Sequence, residues 1–116
     1  MTDDLKAQIR DQNDRFRQRD PSIPGRVMFT QGVQALIGEH EEASPEGLMA
    51  EIGRFDDFTT DNDPLGEHDF ASLTYLGERL FWKIDLSDED FRYGSEEPGN
   101  LARTRRVLTV LFPSEY

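Results

Sequence analysis

The sequence predicts an α+β fold, in which an antiparallel sheet of about four strands carries an N-terminal helix and a second helix packed on it. Three observations favour this fold. Hydrophobic residues recur at helical spacing near the start, a Ser-Pro pair opens a second amphipathic stretch, and from residue 68 onward the hydrophobic period changes to two. The chain of 116 residues can bury one core but not two, so we expect residues 1–116 to form a single compact domain.

The first predicted helix begins at Thr2, whose side chain can cap it. It ends before Asp20-Pro21, because proline has no amide proton to donate. Leu5, Ile9 and Phe16 recur along it at roughly helical spacing. The helix therefore has one narrow apolar stripe.

The second predicted helix begins at Ser44-Pro45, where serine can accept amide protons of the first turn and proline suits the first helical position. Its apolar face consists of Leu48, Met49, Ile52 and Phe55. A shorter apolar stretch at residues 33–37 predicts one further turn of helix.

Four segments have the pattern of strands. Residues 26–30 form the first, and residues 107–112 form the last. Between them, residues 70–76 and 79–86 form an antiparallel hairpin around a turn at Gly77-Glu78. Alternation in the second hairpin strand directs four side chains toward the core: Leu80, Trp82, Ile84 and Leu86.

The negative charge of the chain, −11 in total, is concentrated in its middle. Residues 40–97 hold seventeen acids and four bases, whereas the remaining residues hold seven acids and nine bases. Direct nucleic-acid binding is not expected, because it depends on Lys and Arg side chains that replace the counterions of phosphates. The lack of cysteine, of a basic and apolar leader and of any apolar run near ~18 residues predicts a cytoplasmic protein without membrane contact.

Residues 55–70 contain six carboxylates and one histidine and suggest a metal site. The spacing does not fit a calcium loop of the helix-loop-helix type. Counted from Asp61, positions five and twelve should supply oxygen ligands but are Leu65 and Ser72. A looser divalent-metal site that also uses Asp85 stays open beside the interpretation as a solvated loop.

The chain has no catalytic or cofactor-binding motif. Glu67, His68 and Asp69 are neighbours in sequence, whereas a catalytic triad assembles from separated positions, so we interpret His68 as a hydrogen-bonded structural residue. His40 and His68 are too far apart for a zinc-binding pair, and the glycines form no phosphate-binding loop. We therefore predict a protein that is not an enzyme and has no catalytic residue and no cofactor.

Two further groups of side chains are interpreted as structural. Arg103, Arg105 and Arg106 form a small basic patch, which we expect to pair with the protein's own acids. Large aromatic side chains are most often buried, so those that bracket the acidic loop should anchor it onto the core. These aromatic residues are Phe55, Phe58 and Phe70.

Several short segments carry a family resemblance. They are residues 13–17, 25–28, 55–70, 81–85, 92–95, 106–109 and 114–116. Together they resemble a bacterial family of small acidic proteins, known as a domain of unknown function, whose members are often encoded on plasmids and other mobile elements. The resemblance spans nearly the whole chain and carries over no catalytic residue. It implies a genomic setting in which small acidic proteins commonly act against host defences such as restriction enzymes or CRISPR effectors.

The main functional hypothesis is that the acidic middle of the chain inhibits a defence nuclease by occupying its nucleic-acid channel. Carboxylates on a folded surface can imitate a duplex, which carries one negative charge per ~1.7 Å of axis. The predicted partner is a protein with a basic nucleic-acid-binding surface. The candidate binding residues are Asp56, Asp57, Asp61, Asp63, Glu67, Asp69, Asp88, Glu89, Asp90, Glu96 and Glu97.

Two other functions stay open. One is a metal-binding protein or metal-dependent enzyme that uses residues 55–70. The other is a non-catalytic regulatory or scaffold partner, whose acidity serves only solubility. The oligomeric state is left open as well, as is the question of whether the acids share one face.

Overall fold

The computed structural model describes residues 2–116, so Met1, at the start of the predicted domain, lies outside it. The described residues form three helices and four strands, which confirms the predicted α+β fold. In chain order these are α1 (Asp3–Arg17), β1 (Gly25–Phe29), α2 (Gln31–Gly38), α3 (Pro45–Arg54), β2 (Phe70–Tyr75), β3 (Glu78–Ser87) and β4 (Arg105–Leu111), followed by a 3₁₀ turn at Pro113–Glu115.

The strands form one mixed sheet in the order β1-β4-β3-β2. The pairs β2–β3 and β3–β4 are antiparallel, as predicted, whereas β1 runs parallel to β4. Parallel neighbours need a long connection, and here two helices and the hairpin separate β1 from β4 in the chain. β1 and β2 are therefore the edge strands of the sheet.

Each of the three helices begins at a side chain that accepts a hydrogen bond from the first turn. Thr2 caps α1 and Ser44 caps α3, both at the predicted positions. The predicted turn at residues 33–37 is part of a longer helix, because Thr30 also acts as a cap. Within residues 2–116, none of the helices is long and apolar enough to cross a membrane.

The hairpin turns at Leu76 and Gly77, one residue before the predicted position. Tyr75 pairs with Glu78, which leaves only two residues between the strands. Both of these residues have positive φ, 55° and 79°. Such a turn matches the twist of the strands and requires positive φ at both positions, so Leu76 adopts a conformation that glycine adopts more easily.

All three helices contribute to one core on the same face of the sheet. Leu80, Trp82 and Ile84 of β3 are buried there, as predicted. Leu86, predicted with them, is partly buried against the same core. The helices contribute Phe16, Val33, Leu36, Leu48, Met49 and Ile52.

Phe55 and Phe58 fasten the loop between α3 and β2 to this core, as predicted. Their ring centroids are 5.0 Å apart, and both rings pack edge-on against Trp82. The same prediction is wrong for Phe70, which packs against Phe81 with ring centroids 5.1 Å apart on the opposite face of the sheet. Strand alternation explains the difference, because the residue after Phe70 is the one that faces the core.

Arg106 is fully buried on the helix-covered face of β4. Its Nε donates to Oδ1 of Asn13 at 2.8 Å, and its Nη2 donates to Oε1 of Gln12 at 3.0 Å. Both partners are buried, neutral side chains of α1. Burial lowers the pKa of Arg106 to about 10, so its guanidinium still carries its charge at neutral pH.

The same two amides of α1 hold both long loops. Nδ2 of Asn13 donates to the carbonyl of Glu67 at 2.9 Å, and Nε2 of Gln12 donates to the carbonyl of Gly99 at 3.1 Å. Arg10 adds a third bond, to the carbonyl of Gly66. One polar stripe of α1 therefore connects β4 with the loops that precede β2 and β4.

The expectation that three arginines pair with acids holds for only one of them. Nε of Arg103 lies 3.3 Å from Oε1 of Glu89. Arg105 donates instead to backbone carbonyls of the preceding loop, and Arg106 is buried against α1. The parity of β4 separates the two neighbouring arginines, since Arg106 lies on the same face as Leu108.

Replacing Arg106 with alanine should lower the free energy of unfolding by about 3–5 kcal/mol, because it leaves a cavity and two buried amide oxygens without a donor. Urea unfolding followed by the fluorescence of the single tryptophan measures this change. Arg105→Ala, on the other face of the strand, is the matched control and should cost about 1 kcal/mol or less. Equal losses would contradict the role assigned to Arg106.

Candidate functional site

Two acidic segments emerge from the same end of the sheet. We call residues 55–69 the first acidic loop and residues 88–104 the second acidic loop. β3 ends at Ser87, which pairs with Arg105, the first residue of β4. β2 begins at Phe70, beside the second half of β3. Because β2, β3 and β4 pair antiparallel, the end of the first loop and both ends of the second loop lie at one end of the sheet.

The second acidic loop folds back on β3 and forms a cleft of about 280 Å³. Ser87 forms a bridge with Gly94, and the amide of Ser95 donates to the carbonyl of Leu86 at 2.9 Å. Five of the predicted binding residues line the cleft: Asp88, Glu89, Asp90, Glu96 and Glu97. The structure thus brings these five carboxylates together.

The cleft is strongly negative. Among the described residues, Arg103 is the one basic side chain in its lining. Arg103 and Glu89 form an ion pair, but their side chains are 62% and 49% exposed, so water screens it. The amide of Arg92 donates to Oδ1 of Asp88 at 3.0 Å, and this bond is the main cause that lowers the pKa of Asp88.

Tyr93 also lines the cleft and is 75% exposed. An exposed ring beside carboxylates can receive a lysine or arginine side chain, because the ring face and the carboxylates both attract the cation. Tyr93 is not among the binding residues predicted from the sequence. Its position in a polar loop, outside any periodic apolar pattern, is the signal that could have identified it.

The first acidic loop exposes three of the predicted residues: Asp56, Asp57 and Asp61. Asn62 fixes the backbone beside them. Its Oδ1 accepts from the amide of Thr59 at 2.7 Å, and its Nδ2 donates to the carbonyl of Asp57 at 2.8 Å. These three carboxylates are therefore presented to solvent from an ordered turn.

The structure corrects the predicted binding surface at Asp63, which is buried, with only 8% of its surface exposed. Its carboxylate accepts from the backbone amide of His68 at 3.2 and 3.3 Å. The His68 ring stacks on Phe58 with centroids 3.8 Å apart, and its Nδ1 lies 2.9 Å from a carboxylate oxygen of Asp14. His68 thus has the structural, hydrogen-bonded role predicted for it. Asp63 holds the His68 backbone and does not belong to the exposed acidic surface.

Glu67 and Asp69 are partly buried next to this group. Burial is the main cause that raises the pKa of both carboxyl groups, and the carboxylate of Asp63 contributes in each case. Asp85 raises the pKa of Asp69 further. The ionised carboxylates of these two predicted binding residues therefore cost stability.

Residues 2–116 contain no group of three or more His, Cys, Asp or Glu side chains placed to hold one ion. Asp85, the additional ligand considered above, has its Oδ2 3.3 Å from Nζ of Lys83. The geometry therefore gives the metal hypothesis no support.

Asp63→Ala should lower the free energy of unfolding by about 1–3 kcal/mol, because the partly buried amide of His68 loses its acceptor. Asp61→Ala removes a carboxylate from the exposed part of the same loop and should change stability by about 0.5 kcal/mol or less. Urea unfolding of both variants makes the comparison. Equal stability of the two variants would show that Asp63 is not a structural acid.

Asp69→Asn should raise the free energy of unfolding at pH 7. The folded state raises the pKa of Asp69, so the ionised carboxylate costs stability at neutral pH, and this stability returns as the pH falls through the raised pKa. The advantage of the variant should therefore vanish below pH 3.8, the ordinary pKa of aspartate. Asp57→Asn, from the exposed turn, serves as the control in a pH series of melts. A less stable Asp69→Asn protein at pH 7 would contradict the assignment.

A protein-family model, DUF3768, described as a protein of unknown function, matches residues 29–115. The matched residues include both acidic loops, α2, α3 and the strands β2 to β4, while α1 precedes them. No curated protein and no solved structure matches the chain. Because the match covers well over half of the 116 residues, the chain belongs to the DUF3768 family.

Proposed function

We propose that this protein binds a basic nucleic-acid-binding surface on a protein partner and so keeps nucleic acid away from it. The proposed partner is a host defence nuclease, either a CRISPR effector or a restriction enzyme. The observation that carries the proposal is the cleft of the second acidic loop, in which five carboxylates accompany one arginine. Such a surface attracts a channel lined with Lys and Arg and speeds the encounter with it.

In this proposal the first acidic loop adds to the binding surface. Asp56, Asp57 and Asp61 are exposed, and their loop enters the sheet at the end from which the second loop emerges. Negative charges spread over two loops resemble a stretch of phosphates more closely than one cluster does. The likeness to a nucleic acid would therefore depend on both loops together.

The size of the cleft favours a side chain of a partner as its occupant. Its volume of about 280 Å³ lies below the ~300–1,000 Å³ that is usual for small-molecule pockets. A lysine or arginine from the basic channel would meet carboxylates and the ring of Tyr93 there. Long-range attraction and one specific contact would thus act at the same place.

The α1 bonds to both loops support the proposal energetically. Asn13 and Gln12 hold the backbone at Glu67 and Gly99. A surface that is ordered before binding loses less conformational entropy when the partner binds. The acidic loops are therefore suited to rigid docking.

The choice of a defence nuclease over other basic partners comes from the family resemblance. That resemblance implies carriage on plasmids and mobile elements, where an inhibitor of restriction or CRISPR systems benefits the element. A regulatory or scaffold protein would use the same acidic surface without displacing nucleic acid. Nucleic-acid displacement is therefore the decisive measurement between the two.

The proposal is tested with purified CRISPR effectors and restriction enzymes, by measuring cleavage and binding of a fluorescent duplex as the protein is added. The variant Asp90→Asn/Glu96→Gln/Glu97→Gln removes three exposed cleft acids. It should weaken inhibition about tenfold, since an exposed ion pair contributes about 0.5 kcal/mol. The inhibition should also weaken steeply as salt is raised.

The matched control is Glu39→Gln/Glu41→Gln/Glu42→Gln, which removes three exposed acids outside both acidic loops. It has the same net charge as the cleft variant and should inhibit nearly as well as the unmodified protein. Inhibition that resists salt and survives the cleft variant would refute the proposed surface. Binding without displacement of nucleic acid would favour the regulatory alternative.

A further inference from the structure

A second surface, separate from the acidic loops, lies along the outer edge of β1. It is a groove of about 840 Å³, open to solvent and mainly apolar, between β1, the end of α1 and α3. Val27 and Phe29 of β1 line it on one side, and Met49 and Ala50 of α3 line it on the other. We call this surface the β1 groove.

The backbone of β1 has unused hydrogen-bonding groups beside the groove. β1 is an edge strand, and its bonds to β4 include one at Pro24 and one at Thr30. In a parallel pair, every second residue of a strand directs its amide and carbonyl to the neighbouring strand. Because Pro24 and Thr30 bond to β4, the amides of Val27 and Phe29 point to the free edge. Gln34 already bonds on this edge, because its Nε2 donates to the carbonyl of Phe29 at 2.8 Å.

The same two residues contribute both backbone and side chain to the groove. Their amides point outward along the edge, while their side chains line the apolar wall. A peptide that pairs with this edge would direct every second side chain into the groove. This geometry suits an extended peptide better than a small molecule, which would leave the strand edge unpaired.

The charge around the groove differs from that of the acidic loops, because an exposed arginine here has no acidic partner in the described part of the chain. Arg17, Arg19, Arg54 and one acid, Glu46, line it. Arg17 is buried and pairs with Asp14 at 2.9 Å, so its charge is already compensated. Arg54 pairs with Glu51 at 2.8 Å, but both side chains are largely exposed. Arg19 is exposed and has no ion pair within residues 2–116. The exposed guanidinium of Arg19 is therefore the group in the groove that favours an acidic side chain in a ligand.

We propose that the β1 groove binds an extended segment of a protein partner that adds to β1 as a fifth strand. An apolar side chain of the segment lies against Phe29 and Met49, and an acidic side chain lies near Arg19 and Arg54. The proposal does not depend on the function assigned to the acidic loops, because it uses other residues and a ligand of opposite charge.

The test begins with random 12-residue peptides displayed on phage and selected on the full-length chain. Selected peptides, made synthetically, should combine alternating apolar residues with at least one acid. On binding, hydrogen exchange of the Val27 and Phe29 amides should slow by about tenfold or more, because the peptide backbone now pairs with them. The amides of Arg26 and Met28, already paired with β4, should change little.

Ala50→Glu places a charged, larger side chain in the groove and should weaken peptide binding about tenfold or more, as expected for a repulsive contact. Ala35→Glu adds the same charge at an exposed position of α2 outside the groove lining, and should bind normally. Melting temperatures establish that both variants fold. The cleft variant of the acidic loop should bind the peptides unchanged, so failure here is separate from failure of the proposed function.

Three results would overturn the proposal. The first is that no selected peptide binds, or that the peptides bind the Ala50→Glu protein as tightly as the unmodified one. The second is binding that leaves the exchange of the Val27 amide unchanged. The third is self-association of the free protein that protects the same amides, which would make a second copy of the chain the occupant.

Discussion

The structure depends on the hydrogen bonds that join Arg106 of the sheet to Asn13 and Gln12 of α1. Burying a guanidinium without a carboxylate partner costs stability. Here two neutral amide oxygens accept hydrogen bonds from Arg106, and its Nη1 has no partner among the described residues. The NH₂ groups of the same amides bind the backbones of both acidic loops. One polar contact therefore fixes the helix on the sheet and also the surface proposed for binding.

This arrangement separates the acids into two kinds. The exposed acids of the cleft and of the turn face solvent, where their mutual repulsion is screened. The carboxylate of Asp63 accepts a hydrogen bond from the His68 amide. The pKa of Asp69 is raised by burial and by the charges of Asp63 and Asp85. The acidic surface is thus smaller than the acidic sequence, but it is held by an ordered framework. The β1 groove lies outside it and presents a mainly apolar surface beside the exposed Arg19.

Local signals account for the parts of the fold that were predicted well. The cap at Ser44, the proline after it and the apolar spacing of α3 all act within a few residues, and the alternation from Leu80 to Ile84 needs only the geometry of one strand. The turn at Leu76 was misplaced by one residue because pairing across the hairpin, rather than the position of glycine, decides it. Strand alternation in β4 places Arg106 on the same face as the buried Leu108. Charged residues are so rarely buried that this alternation did not lead to the prediction of a buried arginine.

The sequence by itself determined the α+β class, the positions of α1, α3 and the hairpin, and the concentration of negative charge between residues 40 and 97. Only the tertiary structure decided that β1 lies parallel to β4, that both acidic loops leave one end of the sheet, and that Asp63 turns inward. The physical reason is the distance along the chain over which each kind of interaction acts. Caps and periodicity act between neighbours in the chain, whereas loop position and the burial of single polar groups depend on partners such as Asn13 and Arg106, which lie more than ninety residues apart.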